Sequence, residues 1–331
     1  MQAPTITPEP PLVVSLPSKR RTLWQQMLSN GWSYLYLAPM LILLLVFVVY
    51  PIFASLGYTL YQWNGIGSPT QFVGLYNFQK VIHDSFFWGA FLHTFIYMVV
   101  LVPVQLTLAL ILALVLNNPK LRFATFYRSI YFIPVVTSAA VVGIVVQLIL
   151  TNFGDNLSQI LISAHLTTQH IDWLGDPQFA LGVIIAVGIW NTLGYNLVYF
   201  LAALQTIPTE LYEAAKIDGA NAINQFAFIT VPMLRAIGLM ILILAVLGSL
   251  QVFDLVQVLT GGGPYFATNV VNTYIYQQAF GGFTNSVVEP NIGYASAASF
   301  FYGVVLIALS GIQVLIVRYA TRRRAEYQLQ G

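Results

Sequence analysis

Six stretches of this chain are almost wholly apolar over twenty or more residues: 35–61, 90–116, 127–150, 178–204, 233–258 and 293–318. Runs of that length match the roughly 30 Å hydrocarbon core of a bilayer, which about 20 helical residues cross. No water reaches backbone N–H and C=O groups there, so each span must satisfy them internally, as an α-helix does. The expected fold is all-α: a polytopic membrane protein with six transmembrane helices. Pro39, Pro51 and Pro103 fall inside the first two runs. In a bundle they need not break the helices, because neighbouring helices re-satisfy the freed carbonyls.

Composition agrees. Hydrophobic residues make up 58% of the chain and charged residues 7%, against about 25% charged in a soluble domain. With no cysteine, disulfides, thiolate metal sites and cysteine nucleophiles are excluded. His83, His93, His165 and His170 show no metal-ligand spacing, so no catalytic metal site is expected. His93 lies in the second span and reads as a hydrogen-bonded structural residue. The net charge of +2 carries no signature of a nucleic-acid partner.

The distribution of charge is more telling, since cytoplasmic loops of membrane proteins are rich in Lys and Arg. Lys19, Arg20, Arg21, Lys120, Arg122, Arg128, Lys216, Arg235, Arg318, Arg322, Arg323 and Arg324 fall on one side, and Lys80 alone on the other. Both termini and the 205–232 loop are therefore expected in the cytoplasm, and 62–89, 151–177 and 259–292 outside. Residues 1–33 read as a cytoplasmic tail ending in a surface helix (Leu23, Trp24, Met27, Leu28). The apolar run after them is too long for a signal peptide. The outer loops are long enough to hold short surface helices and a docking surface.

In this uncharged setting the segment 208–234 stands apart. Pro208 and Thr209 read as a helix start, with Thr209 as N-cap and Glu210 near the positive helix end. Gly219 supplies a stop, Asn221 a cap for a second short helix through Phe226 and Phe228, and Pro232 the opening of the fifth span. The product is an elbow with small side chains and the Glu213 carboxylate on its outer face. On residue physics alone it is either a docking element or a solvated connector.

The spacing Glu213-Ala214-Ala215, three residues, Gly219, nine residues, Ile229-Thr230-Val231-Pro232 resembles the EAA loop of ABC-importer permeases, the inner-membrane components of binding-protein-dependent transport systems. Ile217-Asp218-Gly219-Ala220 strengthens the likeness. Phe72 to Phe78 with Asp84 to Trp88, Phe200 to Pro208, Gln251 to Asp254 and Leu259 to Pro264 resemble the sugar-importing branch. Asn221-Ala222, where small or glycine-rich pairs are usual, is a minor departure. The resemblance covers roughly 35–320 and implies a transmembrane domain over 34–320, with 321–331 as a cytoplasmic tail. It further implies that Glu213, Ala214, Ala215, Asp218 and Gly219 couple to a cytoplasmic ATPase. The implied partners are two such ATPase subunits, a second permease subunit forming a heterodimer, an extracytoplasmic solute-binding protein and membrane lipid. No Gly-x4-Gly-Lys-Ser/Thr loop occurs in the chain, so ATP and Mg are expected on the partner ATPase and no cofactor on this non-catalytic subunit.

Polar residues within spans are costly and face a cavity or a neighbouring helix. Asn191, Thr192, Tyr195, Asn196 and Tyr199 cluster in the fourth span, and Ser249, Gln251, Asp254 and Gln257 in the fifth. Amides and hydroxyls suit sugar hydroxyls, which donate and accept, and Trp190 or Phe253 can stack on a sugar face. The substrate-binding set is Asn191, Tyr195, Asn196, Ser249, Gln251, Phe253 and Asp254, with interhelical hydrogen bonding as the competing reading of each. An ion-coupled secondary transporter would need buried carboxylates, of which only Asp254 comes near. A membrane enzyme would need convergent acid, base or metal groups, and a non-transporting scaffold would leave the elbow without a purpose.

Overall fold

The structure, a computed structural model, describes residues 31–118, 120–282 and 289–328, with side chains from Leu35 to Val317 within them. Leu23, Trp24, Met27, Leu28 and Lys19 to Arg21 lie outside the described residues, as do the side chains of Arg318 and Arg322 to Arg324. Among the described residues six helical stretches are long and apolar enough to cross a membrane.

The chain divides into two units, residues 1–54 and 55–331. In the first, α1 (Gly31–Leu44) starts three residues inside the expected tail and holds Pro39 without a break. A π-turn, Leu45–Val49, leads into α2 (Tyr50–Tyr58). Pro51 follows at once, and its missing N–H cannot serve an i→i−4 bond; widening the preceding turn by one residue lets the helix continue. The span ends at Tyr58, earlier than the expected residue 61.

The second unit takes in the end of α2 from Ser55 on and continues with a two-stranded antiparallel ribbon, β1 (Tyr61–Gln62) and β2 (Gln71–Phe72), with Tyr61 opposite Phe72. The buried Asn77 of α3 (Tyr76–His83) donates from Nδ2 to the carbonyls of Thr59 and Tyr61, at 2.8 and 2.9 Å. Asp84 caps α4 (Ser85–Leu116), accepting from the Phe86 N–H at 2.9 Å. Its other oxygen accepts from the hydroxyls of Tyr274 and Tyr294. Burial, then the bond to Asp84, pushes the Tyr274 phenol further above its ordinary range, so it stays a donor. Lys80, which the charge pattern expects on the outer side, lies 4.8 Å from the Tyr294 ring centroid.

The expected third span, 127–150, is a correction. Helix α5 (Ala124–Val136) ends at Thr137 and Ser138, both with extended ψ, and α6 (Ala139–Ser163) restarts beyond them. Adjacent Thr and Ser favour helix ends, because their hydroxyls compete for backbone partners; here Thr137 Oγ1 donates to the Ile133 carbonyl at 3.0 Å. The span is therefore Ala139–Ser163, reaching well into the expected outer loop. Pro103 leaves α4 unbroken, as expected.

The fourth span, α7 (Pro177–Leu204), lies as expected, with Asp176 capping its start. It packs on α4 over a core that includes Ala109, Ala113, Leu116, Leu193, Leu197 and Phe200. Gly194 permits the α5–α7 crossing: a Cβ there would lie 2.6 Å from Val135 Cγ2 and closer still to the Tyr131 carbonyl oxygen. Gly194→Val is expected to cost about 1–3 kcal/mol by overpacking, read as a lower melting temperature of the detergent-solubilised complex.

The fifth span is longer than the expected 233–258, running over Ala222–Leu259. It comprises α9 (Ala222–Gln225), a second π-turn at Phe226–Thr230, α10 (Val231–Leu250), a break at Gln251–Phe253, and α11 (Asp254–Leu259). Pro232 thus lies inside a continuing helix and does not open it, a further correction; again a π-turn comes just before the proline. In the expected outer loop 259–292, α12 (Val271–Phe280) is no surface helix: Val271, Thr273 and Tyr274 are buried. Thr94 Oγ1 accepts its Val271 N–H at 3.0 Å, and His93 Nδ1 lies 3.2 Å from the Asn269 carbonyl, as the structural reading of His93 anticipated. The sixth span opens α13 (Ile292–Gln328).

Candidate functional site

Two places bring the candidate residues together: the elbow and a cavity within the spans. In the elbow, α8 (Thr209–Ile217) begins at Thr209 itself. Pro208 occupies the cap position and no side chain caps the helix, so Thr209 is not the N-cap. The helix ends as its sequence dictates. Gly219 has φ +79°, the left-handed value that glycine adopts most cheaply. The Gly219 N–H donates to the Lys216 carbonyl at 3.1 Å and the Ala220 N–H to the Ala215 carbonyl at 2.8 Å. That pair of bonds is the Schellman arrangement. Asn221 then caps α9, its Oδ1 accepting from the Asn224 N–H at 2.8 Å.

Glu213, Ala214, Asp218 and Gly219 are exposed and Ala215 is half-buried. Around them stand large apolar side chains in the open, Ile217 at 86%, Ile223 at 76% and Phe228 at 78% exposure. A carboxylate, small residues and unpaired apolar knobs on a short ordered helix form a surface suited to a protein cleft.

The second place is a cavity of about 410 Å³ between α4, α7 and the α10–α11 break. Asn191, Tyr195, Asn196, Ser249, Gln251, Phe253 and Asp254 all line it, as do Thr192 and Tyr199. Gln257 does not line it; its Oε1 is buried with no partner among the described residues. Several lining groups also brace helices: Asn191 Nδ2 donates to the Pro134 carbonyl at 2.9 Å, and Ser249 Oγ to the Val246 carbonyl at 2.8 Å. Asn196 Nδ2 lies 3.3 Å from the Thr192 carbonyl. Gln251 and Asp254 are exposed, and Tyr195 is 49% exposed. Among the described lining residues Asp254 is the one carboxylate, and no Lys, Arg or His is present.

The break at Gln251–Phe253 makes this wall. Phe253 leaves helical geometry at φ −148°, ψ −65°. Tyr302 donates to the Leu250 carbonyl at 2.6 Å and Asn272 Nδ2 to the Val252 carbonyl at 3.3 Å. Unwound backbone at membrane depth is tolerated where protein buries it or a cavity takes it up.

Sequence reasoning missed two lining residues, Tyr97 and Gln105 of α4. Gln105 bonds Thr192 and is 2% exposed; a glutamine in mid-span was a readable signal. Tyr97 reaches the cavity because position 188 is glycine, whose Cβ would overlap the Tyr97 hydroxyl. No pattern within α4 announces that.

Residues 82–325 match the family described as binding-protein-dependent transport system inner membrane component. The lactose transport system permease protein LacF of Rhizobium radiobacter is 38% identical over 297 residues, covering 89% of this chain and 95% of that protein. The trehalose/maltose transport system permease protein MalF of Thermococcus litoralis is 33% identical over 240 residues, 72% and 80% of the two chains. A bacterial ABC transporter involved in import of the acidic polysaccharide alginate shares the fold, with TM-score 0.73, 22% identity, and 90% and 98% of the two chains covered.

Proposed function

The chain belongs to the family of binding-protein-dependent transport system inner membrane components, and on that premise we propose that its cargo is a neutral saccharide, moved by a separate ATPase acting on the elbow. The protein is a multi-pass membrane permease subunit of an importer. One observation carries the choice of cargo: a cavity of about 410 Å³ whose described lining mixes amides, hydroxyls and aromatic rings with one carboxylate, Asp254, and no cationic side chain. Amides and hydroxyls meet sugar hydroxyls as donors and acceptors, and Phe253, Tyr195 and Tyr199 offer faces for a sugar ring. The lack of Lys or Arg in that lining disfavours phosphorylated or acidic cargo. Relatives whose names specify lactose and trehalose/maltose support the same class.

The partners follow from the same reading: two ATPase subunits carrying ATP and Mg, a solute-binding protein outside, and a second, non-identical permease completing the pathway. This subunit holds the cargo itself and performs no catalysis. In proteoliposomes of the complete complex, Asn191→Ala and Ser249→Ala are each expected to raise the KM for uptake about tenfold, the loss of roughly one hydrogen bond. The affinity of the solute-binding protein, measured separately, should not change. Unaltered transport kinetics in both variants would remove the pocket from this chain, and uptake that a protonophore abolishes while ATP is present would overturn ATP drive.

A further inference from the structure

The elbow and the fifth span are joined by more than the chain. Tyr212 sits one residue before the exposed Glu213 but turns the other way: it is half-buried and packs against the α4–α7 core. Its hydroxyl lies 2.9 Å from Thr230 Oγ1, at the end of the π-turn. Thr230 is buried, at 3% exposure, and directs its own proton to the Gln225 carbonyl at 3.4 Å. Gln225 Nε2 in turn donates to the Ala220 carbonyl at 2.9 Å. These bonds run from α8 across to the start of the fifth span and back to the turn that follows Gly219.

Consider the elbow without that ring of bonds. Helix α8 would be tied to the fifth span by the chain through Gly219, Ala220 and Asn221 and by the non-directional packing of the Tyr212 ring, and Gly219 is the residue most able to swivel. A force on Glu213 and its neighbours would then rotate α8 about the turn. With the ring closed, α8 and the fifth span form one body. That body is long: from Ala222 to Ser249 the helix rises roughly 40 Å at about 1.5 Å per residue. One end bears the exposed elbow, and the other bears Ser249 and Gln251 on the cavity wall.

We propose that the Tyr212 hydroxyl is a positioning strut: by holding Thr230 at the π-turn, it makes displacement of the elbow a displacement of the cavity wall. The proposal rests on the ATPase-driven reading of the elbow. It concerns one hydroxyl, which separates it from a merely structural role for the ring. Tyr212→Phe keeps the ring and its packing and removes only the strut. Thr230→Val keeps the shape and removes the partner oxygen, whereas Thr230→Ser keeps it.

The experiment uses the full complex in proteoliposomes with saturating solute-binding protein and lactose as the probe sugar. It reads ATP hydrolysed per sugar taken up, beside the KM for uptake. Tyr212→Phe and Thr230→Val are expected to raise the ATP-to-sugar ratio about fivefold or more, the low end of typical coupling energies. KM should stay unchanged, and Thr230→Ser should restore the parental ratio. An unchanged ratio in Tyr212→Phe and Thr230→Val overturns the strut. So does an equal fall in hydrolysis and uptake with assembly intact, because the linkage would then still transmit. If the parental complex takes up sugar without consuming ATP, the ATPase reading itself fails, a result distinct from failure of the strut alone.

Discussion

Proline in place of Gly219 is expected to abolish ATP-driven uptake in a complex that still assembles. Gly219 holds φ +79°, whereas the proline ring fixes φ near −65°. Proline would also delete the N–H that Gly219 donates to the Lys216 carbonyl. The last turn of α8 would have to rebuild, moving Glu213, Ala214 and Ala215 relative to Asn221 and the fifth span. The site is otherwise roomy, with no atom within 4 Å of where a Cβ would sit. The penalty is therefore conformational and not steric, which grades the series: Gly219→Ala should cost about 1–2 kcal/mol locally and lower uptake only in part. The measurement is ATP-dependent accumulation in proteoliposomes, normalised to co-purified subunits. Full uptake by a normally assembled Gly219→Pro complex would refute the coupling role of the elbow.

The second large effect is expected at Gly248, from filling the cavity. Gly248 lines it and, like Gly219, has no atom within 4 Å of where a Cβ would sit; unlike Gly219, it sits in the regular helix α10. The first side-chain atom there meets open space on the cavity's edge, so Gly248→Trp is expected to fold and assemble. The indole would occupy the volume between Asn191, Tyr195 and Ser249 that the sugar is proposed to use. Uptake should fall at least about a hundredfold, more than the loss of any single hydrogen bond achieves, while ATP hydrolysis without sugar persists. Gly238→Trp, on the same helix with open space at its Cβ but away from the cavity lining, is the control. Equal uptake by the Gly248 and Gly238 variants would mean the pathway lies elsewhere.

Much of this was legible in the residues because each depends on a local rule. Span count follows from apolar length, and the end of α8 from a glycine at the position where a left-handed residue is needed. The polar cluster of the fourth and fifth spans was readable because buried amides are costly: Asn191, Tyr195, Asn196, Ser249, Gln251, Phe253 and Asp254 share one cavity, whereas Gln257 and Trp190 stand outside its lining. The misses have tertiary causes. The 127–150 run is continuous in hydropathy across Thr137 and Ser138, so averaging over a span hides the break. Gln251-Val252-Phe253 carries neither glycine nor proline, and its unwinding is braced by Tyr302 and Asn272 from distant sequence. Helix α12 is buried by partners on α4 and α13, which nothing in the 259–292 segment itself foretells.

The π-turn at Phe226–Thr230 has a consequence for rotation as well as for continuity. A regular helix advances about 100° per residue, so one surplus residue in a turn rotates everything after it by that amount. The azimuth at which Ser249 meets the cavity is therefore fixed some twenty residues away, beside the elbow. The same five residues that receive Tyr212 also decide which stripe of the fifth span looks inward, and the segment is thereby under two separate constraints, one of stiffness and one of phase.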